Sequence, residues 1–182
     1  MNEANEKLIL DENSVNRTLL RLAHEIIENN PDEKTLYLVG IKTRGLPIAQ
    51  ILASNIEKFS DVKVVLGELD ITLYRDDLVQ KSEQPTVVPP EFPFDVTGKT
   101  IVLVDDVIYT GRTARAAIDA IISAGRPAKI KLCVLVDRGH REIPIRGDYI
   151  GKNMPTSHNE IVSVRMPSVD GKMEVVILHP QA

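Results

Sequence analysis

The chain has 182 residues, 43% of them hydrophobic and 26% charged, and a formal net charge of −4. These values are typical of one globular domain with its own core; they exclude a largely disordered chain and argue against nonspecific coating of nucleic acid, although a local basic face is compatible with them. The single Cys133 excludes an internal disulfide, and the sequence has neither a signal-peptide core nor a membrane-spanning apolar run, so we expect a cytoplasmic protein with no membrane partner.

Hydrophobic spacing in the first part of the chain predicts helices alternating with strands. An apolar repeat at helical spacing predicts a helix that Asp11 or Ser14 caps and that ends near position 29. Residues 36–41 form an apolar run typical of a buried strand, and a helix is predicted over about 46–58. Mixed β-branched and apolar residues predict a further strand within 62–74.

The segment over about 74–99 contains four prolines and little periodicity. Since a loop of this length inside a domain is usually functional, we interpret it as a lid over a site; a passive surface excursion is the alternative. Arg75 lies in its polar first part, where it could hold pyrophosphate, although a salt-bridged turn is equally compatible with the sequence.

The second part of the chain continues the alternation. A buried parallel strand is predicted over 101–104, a helix over 112–124 and another buried strand over 130–136. Two tail strands are predicted over 160–166 and 173–178, with a turn between them. This order implies an α/β fold with a mainly parallel central sheet flanked by helices and ligands at the carboxyl ends of the strands. We expect residues 1–182 to form a single domain.

One stretch, IVLVDDVIYTGRT at 101–113, combines several groups that suit a sugar phosphate. Asp105 and Asp106 follow the apolar strand, Thr110 and Gly111 precede the helix, and Thr113 lies in its first turn. Backbone N–H groups at a helix N-terminus bind phosphate, and carboxylates accept hydrogen bonds from vicinal hydroxyls or help to place a divalent metal. Each piece alone is also typical of an N-cap or a turn, but the uninterrupted order favours a ribose 5-phosphate site.

A second strand, loop and helix unit carries a basic loop. Lys42, Thr43, Arg44 and Gly45 offer cationic and backbone donors, which suit a pyrophosphate. An exposed basic turn is the alternative for this tetrapeptide alone. Beside the first motif, the two loops together favour one ribose that carries both a 5-phosphate and a pyrophosphate.

The stretch at 101–113 resembles the phosphoribosyl pyrophosphate (PRPP) motif of type I phosphoribosyltransferases, and it lacks the Lys-Ser/Thr ending of a Walker P-loop. The resemblance implies the type I phosphoribosyltransferase fold and Mg²⁺ as cofactor. It implies that Asp105 and Asp106 hold the sugar and meet the metal only through ribose hydroxyls or water, and that Arg44 and Arg75 act in catalysis. It assigns residues 42–45 to a pyrophosphate loop. It assigns a second set of residues to binding of the phosphate of PRPP or UMP: Val107, Ile108, Tyr109, Thr110, Gly111, Arg112 and Thr113.

The acceptor base can be argued from one position in this motif. Purine-specific relatives generally carry an aspartate immediately before the Thr-Gly pair, where it can interact with the purine ring. This chain has Tyr109 there. Because a phenol cannot supply that carboxylate, a pyrimidine acceptor is favoured.

Three stretches together resemble the PyrR family: DITLYRDDL at 70–78, VDDVIYTGRT at 104–113 and VDRGHREIPIRGDYIGKN at 136–153. The resemblance implies a uracil phosphoribosyltransferase that uses uracil and PRPP, binds UMP or UTP, and binds the leader mRNA hairpin of the pyrimidine operon in a nucleotide-dependent way. It also implies a small C-terminal hood at about 137–182. The implied uracil pocket consists of Val136, Asp137, Arg138, Ile150 and Lys152.

The basic residues that could meet RNA lie in two segments. Between 137 and 152, four basic side chains stand against three acidic ones, so charge alone does not indicate RNA. The combined face is plausible only if the fold brings both segments together; a solvated or dimer-interface face is the alternative. Leu20 and Asn16 depart from a fully basic surface. The candidate RNA-binding residues are Arg17, Arg21, His24, His140, Arg141, Arg146 and Lys152.

Three functions therefore stay open at the level of sequence. The first is a regulator of pyrimidine operon transcription by attenuation that also converts uracil and PRPP to UMP and pyrophosphate. The second is a uracil salvage phosphoribosyltransferase without RNA binding, and the third is a nucleotide-sensing module with little turnover. RNA binding by so small a chain would be helped by a doubled face, so we expect a homodimer or a higher homo-oligomer.

Overall fold

The computed structural model describes residues 5–71 and 90–179, which form two sheets and four helices. In chain order the elements are β1 (Asn5–Leu10), α1 (Glu12–Glu28), β2 (Thr35–Ile41), α2 (Gly45–Phe59), β3 (Lys63–Leu69), β4 (Thr100–Ile108), α3 (Arg112–Ala124), β5 (Lys129–Asp137), β6 (Tyr149–Asn153), β7 (Ile161–Arg165), α4 (Pro167–Asp170) and β8 (Glu174–His179). None of the described helices is long and apolar enough to cross a membrane.

The larger sheet is parallel and has the strand order β3-β2-β4-β5-β6. Its central strand β4 is apolar on both faces, because successive side chains point to opposite sides of a strand. Val102 and Val104 pack into the core formed with α1 and α2, whereas Ile101 and Leu103 pack with α3. The expected α/β architecture, with helices on both faces of a parallel sheet, is confirmed.

The first helix has the predicted start and end. The Ser14 backbone N–H donates to the Asp11 carboxylate at 2.8 Å, which makes Asp11 the N-cap of α1. At the other end, Asn30 is buried; its amide donates to the Ile26 carbonyl, and its carbonyl oxygen accepts from Lys131 at 2.9 Å. These contacts satisfy the last turn of the helix and fix it against the sheet.

The central strand is longer than the sequence predicts. Its apolar run ends at Val104, but pairing with β5 continues through Asp105 and Val107 to Ile108. The acidic pair therefore lies within a paired strand rather than beyond its end. Hydrogen bonds to the neighbouring strand β5 satisfy the backbone N–H and C=O groups here. Because β5 is distant in the chain, the polarity of the local side chains does not predict this pairing.

A smaller antiparallel sheet lies beside the main one, in the order β1-β8-β7. The hood was expected at about 137–182, but β1, from the other end of the chain, forms one edge of this sheet. In addition, β6 pairs with β5 in the main sheet. The sequence did not predict β1 or β6 as strands, because both are short edge strands with polar residues and weak alternation. Residues 74–89 of the expected lid lie outside the described residues.

Candidate functional site

The two loops singled out in the sequence meet at the carboxyl edge of the main sheet. One cavity of about 330 Å³ is lined by the segment after β4 and the start of α3. A second, of about 260 Å³, is lined by the loop after β2 and by Asp106. Both cavities include Asp105, Val107 and Thr113 in their walls. An elongated ligand with an anionic group at each end fits this arrangement.

The first cavity opens onto the N-terminus of α3. The helix begins at Arg112, and Gly111 before it has a φ of +93°, in the left-handed region that favours glycine. A Cβ at Gly111 would also lie 3.3 Å from the Ile143 carbonyl oxygen. The first-turn N–H groups of a helix have no intrahelical partner, and the helix dipole favours negative charge there. The geometry therefore suits a phosphate.

The segment after β5 contacts the outer side of the loop at 107–113, which we call the phosphate loop. The Arg141 guanidinium donates to the Tyr109 carbonyl at 2.6 Å, and the Glu142 backbone N–H donates to the Thr110 carbonyl at 2.9 Å. The Arg138 guanidinium lies 4.1 Å from the centre of the Tyr109 ring, at cation–π distance. Residues 138–142, which include candidates for RNA contact, thus belong to the framework of the phosphate loop.

The two aspartates of β4 form an electrostatically strained pair. The Asp105 carboxylate accepts the Asp106 backbone N–H at 2.9 Å, and Asp106 accepts the Val107 N–H at 2.8 Å. Burial, and next the neighbouring Asp106 charge, raise the pKa of Asp105 well above its usual range. Burial also raises the pKa of Asp106, while Arg44 opposes this rise. Hydroxyl donors or a cation at this point would relieve the strain.

A magnesium ion fits this pair only with help from a substrate. Among the described residues, no group of three or more His, Cys, Asp or Glu side chains could hold a metal. Mg²⁺ commonly binds through one or two carboxylates plus substrate oxygens and water, and it does not require a cage of protein ligands. The adjacent pair of buried Asp105 and half-buried Asp106, with raised pKa values, matches that mode.

In the basic loop, each side chain of the tetrapeptide has a different environment. Lys42 is exposed, and its ammonium lies 2.7 Å from the Glu68 carboxylate, which raises the pKa of Lys42. The Lys42–Thr43 peptide bond is cis. The Arg44 guanidinium makes two hydrogen bonds to the Asp170 carboxylate, at 2.7 and 3.1 Å. The second cavity is lined by Lys42, Thr43 and Arg44.

Gly45 is required for packing, in addition to any role in binding. A Cβ there would lie 2.4 Å from the Val104 carbonyl oxygen and 3.3 Å from the Asp105 Cα. The start of α2 thus lies directly against the strand that carries the acidic pair. The sequence pattern suggested a backbone donor at Gly45; the structure gives it the further role of a close contact with β4.

The implied uracil-pocket residues have different surroundings in the described part of the chain. Val136 and Lys152 are neighbours in the β5–β6 register, and the Ile150 carbonyl accepts a hydrogen bond from Arg21. Asp137 accepts from Arg141 at 2.6 Å and lines a separate cavity of about 400 Å³. Of this set, Arg138 approaches the phosphate loop through the Tyr109 ring. The cavity beside that loop is lined from β5 by Leu132 and Val134, two residues that the sequence interpretation missed.

The candidate RNA residues fall into two groups. Arg17, Arg21 and His24 are exposed on α1, and Arg21 donates to the Ile150 and Gly151 carbonyls of β6, the strand that carries Lys152. The fold therefore brings the basic face of α1 next to β6, which carries Lys152. In the second group Arg146 is exposed, Arg141 is bound to the phosphate loop, and the His140 ring lies 4.0 Å from that of His158. Arg75 lies outside the described residues.

Sequence reasoning also missed residues on the other side of the site. Asp70 and Ile71 line the second cavity directly after β3, and Glu142 lines the first. The rule that ligands meet strand ends could have found Asp70. No local signal points to Asp170, which is 126 positions from its partner Arg44.

Comparison with known proteins gives a consistent result. The family described as "Phosphoribosyl transferase domain" matches residues 7–168. A Pelotomaculum thermopropionicum protein called Bifunctional protein PyrR is 58% identical over 170 residues, 93% of this chain and 94% of that protein. A Chloroflexus aurantiacus protein of the same name is 54% identical over 178 residues, 98% of each chain.

Two solved structures show the same fold at low identity. A Trypanosoma cruzi hypoxanthine phosphoribosyl transferase has a TM-score of 0.75 and 18% identity, over 99% of this chain and 94% of that chain. A Bacillus anthracis hypoxanthine-guanine phosphoribosyltransferase has a TM-score of 0.70 and 14% identity, over 94% of this chain and 97% of that chain. The fold expected from the sequence is confirmed.

Replacing Gly45 by alanine should destabilise the protein, because the new methyl group would overlap the Val104 carbonyl. We expect a loss of about 1–3 kcal/mol in the free energy of unfolding, measured by urea denaturation. Gln50→Ala, on the exposed face of the same helix, is the matched control and should change stability by less than about 0.5 kcal/mol. Equal effects of the two substitutions would contradict the close packing.

Replacing Asp105 by asparagine should stabilise the protein at neutral pH by about 1 kcal/mol, since it removes a buried, repelled charge. A carboxyl whose pKa is raised by folding holds its proton longer in the folded state, so the stability contributed by protonated Asp105 is lost as pH rises above about 3.9. In urea denaturation across pH, the stability of the variant relative to the wild type should therefore increase as pH rises. Asp119→Asn, at an exposed carboxylate paired with Arg115, should retain the wild-type profile.

Proposed function

Since the chain belongs to the phosphoribosyl transferase family and, within it, to the bifunctional PyrR proteins, we infer that it regulates pyrimidine operon transcription and is a uracil phosphoribosyltransferase. The enzyme converts uracil and PRPP to UMP and pyrophosphate. The observation that carries the enzymatic function is the pair of adjoining cavities that share Asp105, one at the start of α3 and one at the basic loop. We place this activity in the cytoplasm.

In the proposed reaction, N1 of uracil forms a bond to the anomeric carbon while the bond from that carbon to pyrophosphate breaks. The proton of N1 is released, and the transition state has oxocarbenium character. Since no new covalent bond to the protein is needed, catalysis consists of positioning and electrostatics. Mg²⁺ bound with PRPP would supply charge neutralisation at the pyrophosphate and ribose hydroxyl oxygens.

Residues of this chain supply the positioning at both ends of PRPP. The loop from 107 to 113 holds the 5-phosphate through N–H groups at the start of α3 and the hydroxyls of Thr110 and Thr113. Lys42 and Arg44 hold the pyrophosphate, and Asp105 and Asp106 accept hydrogen bonds from the ribose hydroxyls between them. The cavity volumes and shared lining residues support this assignment.

The choice of a pyrimidine rests on Tyr109. Its ring is covered by the Arg138 guanidinium at 4.1 Å, and its backbone carbonyl is held by Arg141. The aromatic ring therefore has a fixed place beside the phosphate loop, where a purine-binding carboxylate is expected in purine-specific relatives. We assign the uracil contacts to this end of the site, with Val136, Asp137, Arg138, Ile150 and Lys152 as the proposed set.

For the regulatory function, we propose that a nucleotide-dependent basic face binds the leader mRNA hairpin. Arg17 and His24 are exposed on α1, and the hydrogen bonds of Arg21 hold α1 against β6 and Lys152. Arg141 is a poor residue for separating the two functions, because its guanidinium holds the Tyr109 carbonyl of the phosphate loop. A homodimer or higher homo-oligomer would double this face.

The enzymatic proposal predicts UMP formation from uracil and PRPP with Mg²⁺, and much weaker use of hypoxanthine. Asp106→Asn should lower kcat/KM by roughly 10²-fold, because the ribose hydroxyls lose a charged acceptor. Asp119→Asn, on the exposed face of α3, serves as the control and should keep full activity. Absence of UMP formation by the wild-type protein would instead favour a nucleotide-sensing module with little turnover.

The regulatory proposal predicts that UMP or UTP tightens binding of a pyrimidine-operon leader hairpin in filter-binding titrations. The double variant Arg17→Gln and His24→Gln should weaken binding by about tenfold or more and reduce its salt dependence, while UMP formation stays unchanged. Lys63→Gln removes a charge at the opposite edge of the sheet, on β3, and should not affect binding. No hairpin binding with nucleotide present would leave a salvage enzyme.

A further inference from the structure

The second cavity is connected to the smaller sheet by one ion pair. Arg44 lies in the basic loop after β2, and Asp170 ends the one-turn helix α4 between β7 and β8. The Arg44 Nε donates to one oxygen of the Asp170 carboxylate at 3.1 Å, and Nη2 donates to the other at 2.7 Å. This two-point contact fixes the plane of the guanidinium, which a single hydrogen bond does not do.

The carboxylate of Asp170 is itself held in place. The Met166 backbone N–H donates to Oδ2 of Asp170 at 2.9 Å, and the Asp170 side chain is only 18% exposed. The Arg44 hydrogen bonds, together with the Met166 N–H, hold the pKa of Asp170 below its usual range, so it stays ionised. Arg44 is therefore bound by an acceptor whose own position is set by the fold of α4.

The position of Arg44 needs this support because a second anion competes for it. Asp106, which lines the same cavity, also attracts the Arg44 guanidinium electrostatically. Without Asp170, we expect Arg44 to turn toward Asp106 and to occupy the space between the acidic pair and the basic loop. The contact with Asp170 uses two of the five guanidinium N–H groups, and the other three are not used by this ion pair.

We propose that Asp170 is a positioning residue for pyrophosphate: it holds Arg44 away from Asp106 and orients its remaining N–H groups toward the pyrophosphate of PRPP. The proposal rests on the proposed transferase function and deepens it, because it assigns a role in substrate binding to the smaller sheet. The preorganised guanidinium loses little conformational freedom when PRPP binds. UMP has no pyrophosphate, and its binding does not depend on Asp170.

The test compares Asp170→Asn with the wild-type protein by isothermal titration with PRPP, with pyrophosphate and with UMP, each with Mg²⁺. We expect the Kd for PRPP and for pyrophosphate to rise about tenfold, which corresponds to about 1.4 kcal/mol. The Kd for UMP should stay within twofold. In steady-state assays the KM for PRPP should rise while the KM for uracil stays unchanged. The full chain is used throughout.

Two further variants separate positioning from structure. Glu174→Gln removes a carboxylate on β8 that is paired with Arg165 and Lys172, and it should change none of the three Kd values. Asp170→Glu keeps the charge and should recover part of the PRPP affinity that Asp170→Asn loses. If Asp170→Asn fails to fold, Asp170→Glu is used in its place. Because its side chain is longer, its Kd for PRPP should increase over the wild-type value by a larger factor than its Kd for UMP.

Three results would overturn the proposal. The first is equal weakening of PRPP and UMP, which indicates a structural role. The second is tighter PRPP binding in Asp170→Asn, which indicates that the ion pair competes with the substrate. The third is an unchanged Kd for PRPP. Titration does not require turnover. A wild-type protein that binds PRPP but forms no UMP would therefore contradict the proposed function, while the effect of Asp170→Asn on the Kd for PRPP would still test the role of Asp170.

Discussion

Two adjacent carboxylates within the central strand are the constraint on which the site depends. Pairing with β5 continues through this part of β4 and fixes Asp105 and Asp106 next to each other, and burial raises the pKa of both. The burial and mutual repulsion of the two carboxylates lower the stability of the protein, and a polyhydroxyl ligand or a cation bound at this point can relieve both effects. The loops around the pair are arranged so that such a ligand is held at both of its ends.

Each of these loops is held by a segment far away in the chain. The phosphate loop is held by Arg138, Arg141 and Glu142 from the connection after β5. The basic loop is held by Asp170 from the smaller sheet. Two separate parts of the fold therefore support the two loops proposed to bind phosphate and pyrophosphate. The segment that supports the phosphate loop also contains His140 and Arg141, two of the residues proposed to contact RNA.

Local sequence signals were reliable where the physical cause is local. The helix α3 has the predicted bounds, since its alanine-rich repeat and the glycine before it determine both its face and its start. The same holds for the Asp11 cap of α1. Local sequence signals failed where strand pairing depends on a segment distant in the chain. β4 extends past Val104 because β5 continues beside it, and β1 is a strand because it pairs with β8.

The sequence by itself determined the alternation of helices and strands from α1 to β5, the acidic pair, the glycine-containing phosphate loop and the basic loop, because each depends on residues close together in the chain. Only the tertiary structure decided which groups face one another. It brought the two loops to one edge, turned Arg141 toward Tyr109 and paired Arg44 with Asp170. Such contacts join residues up to 126 positions apart, and their partners are selected by packing, which no local pattern records.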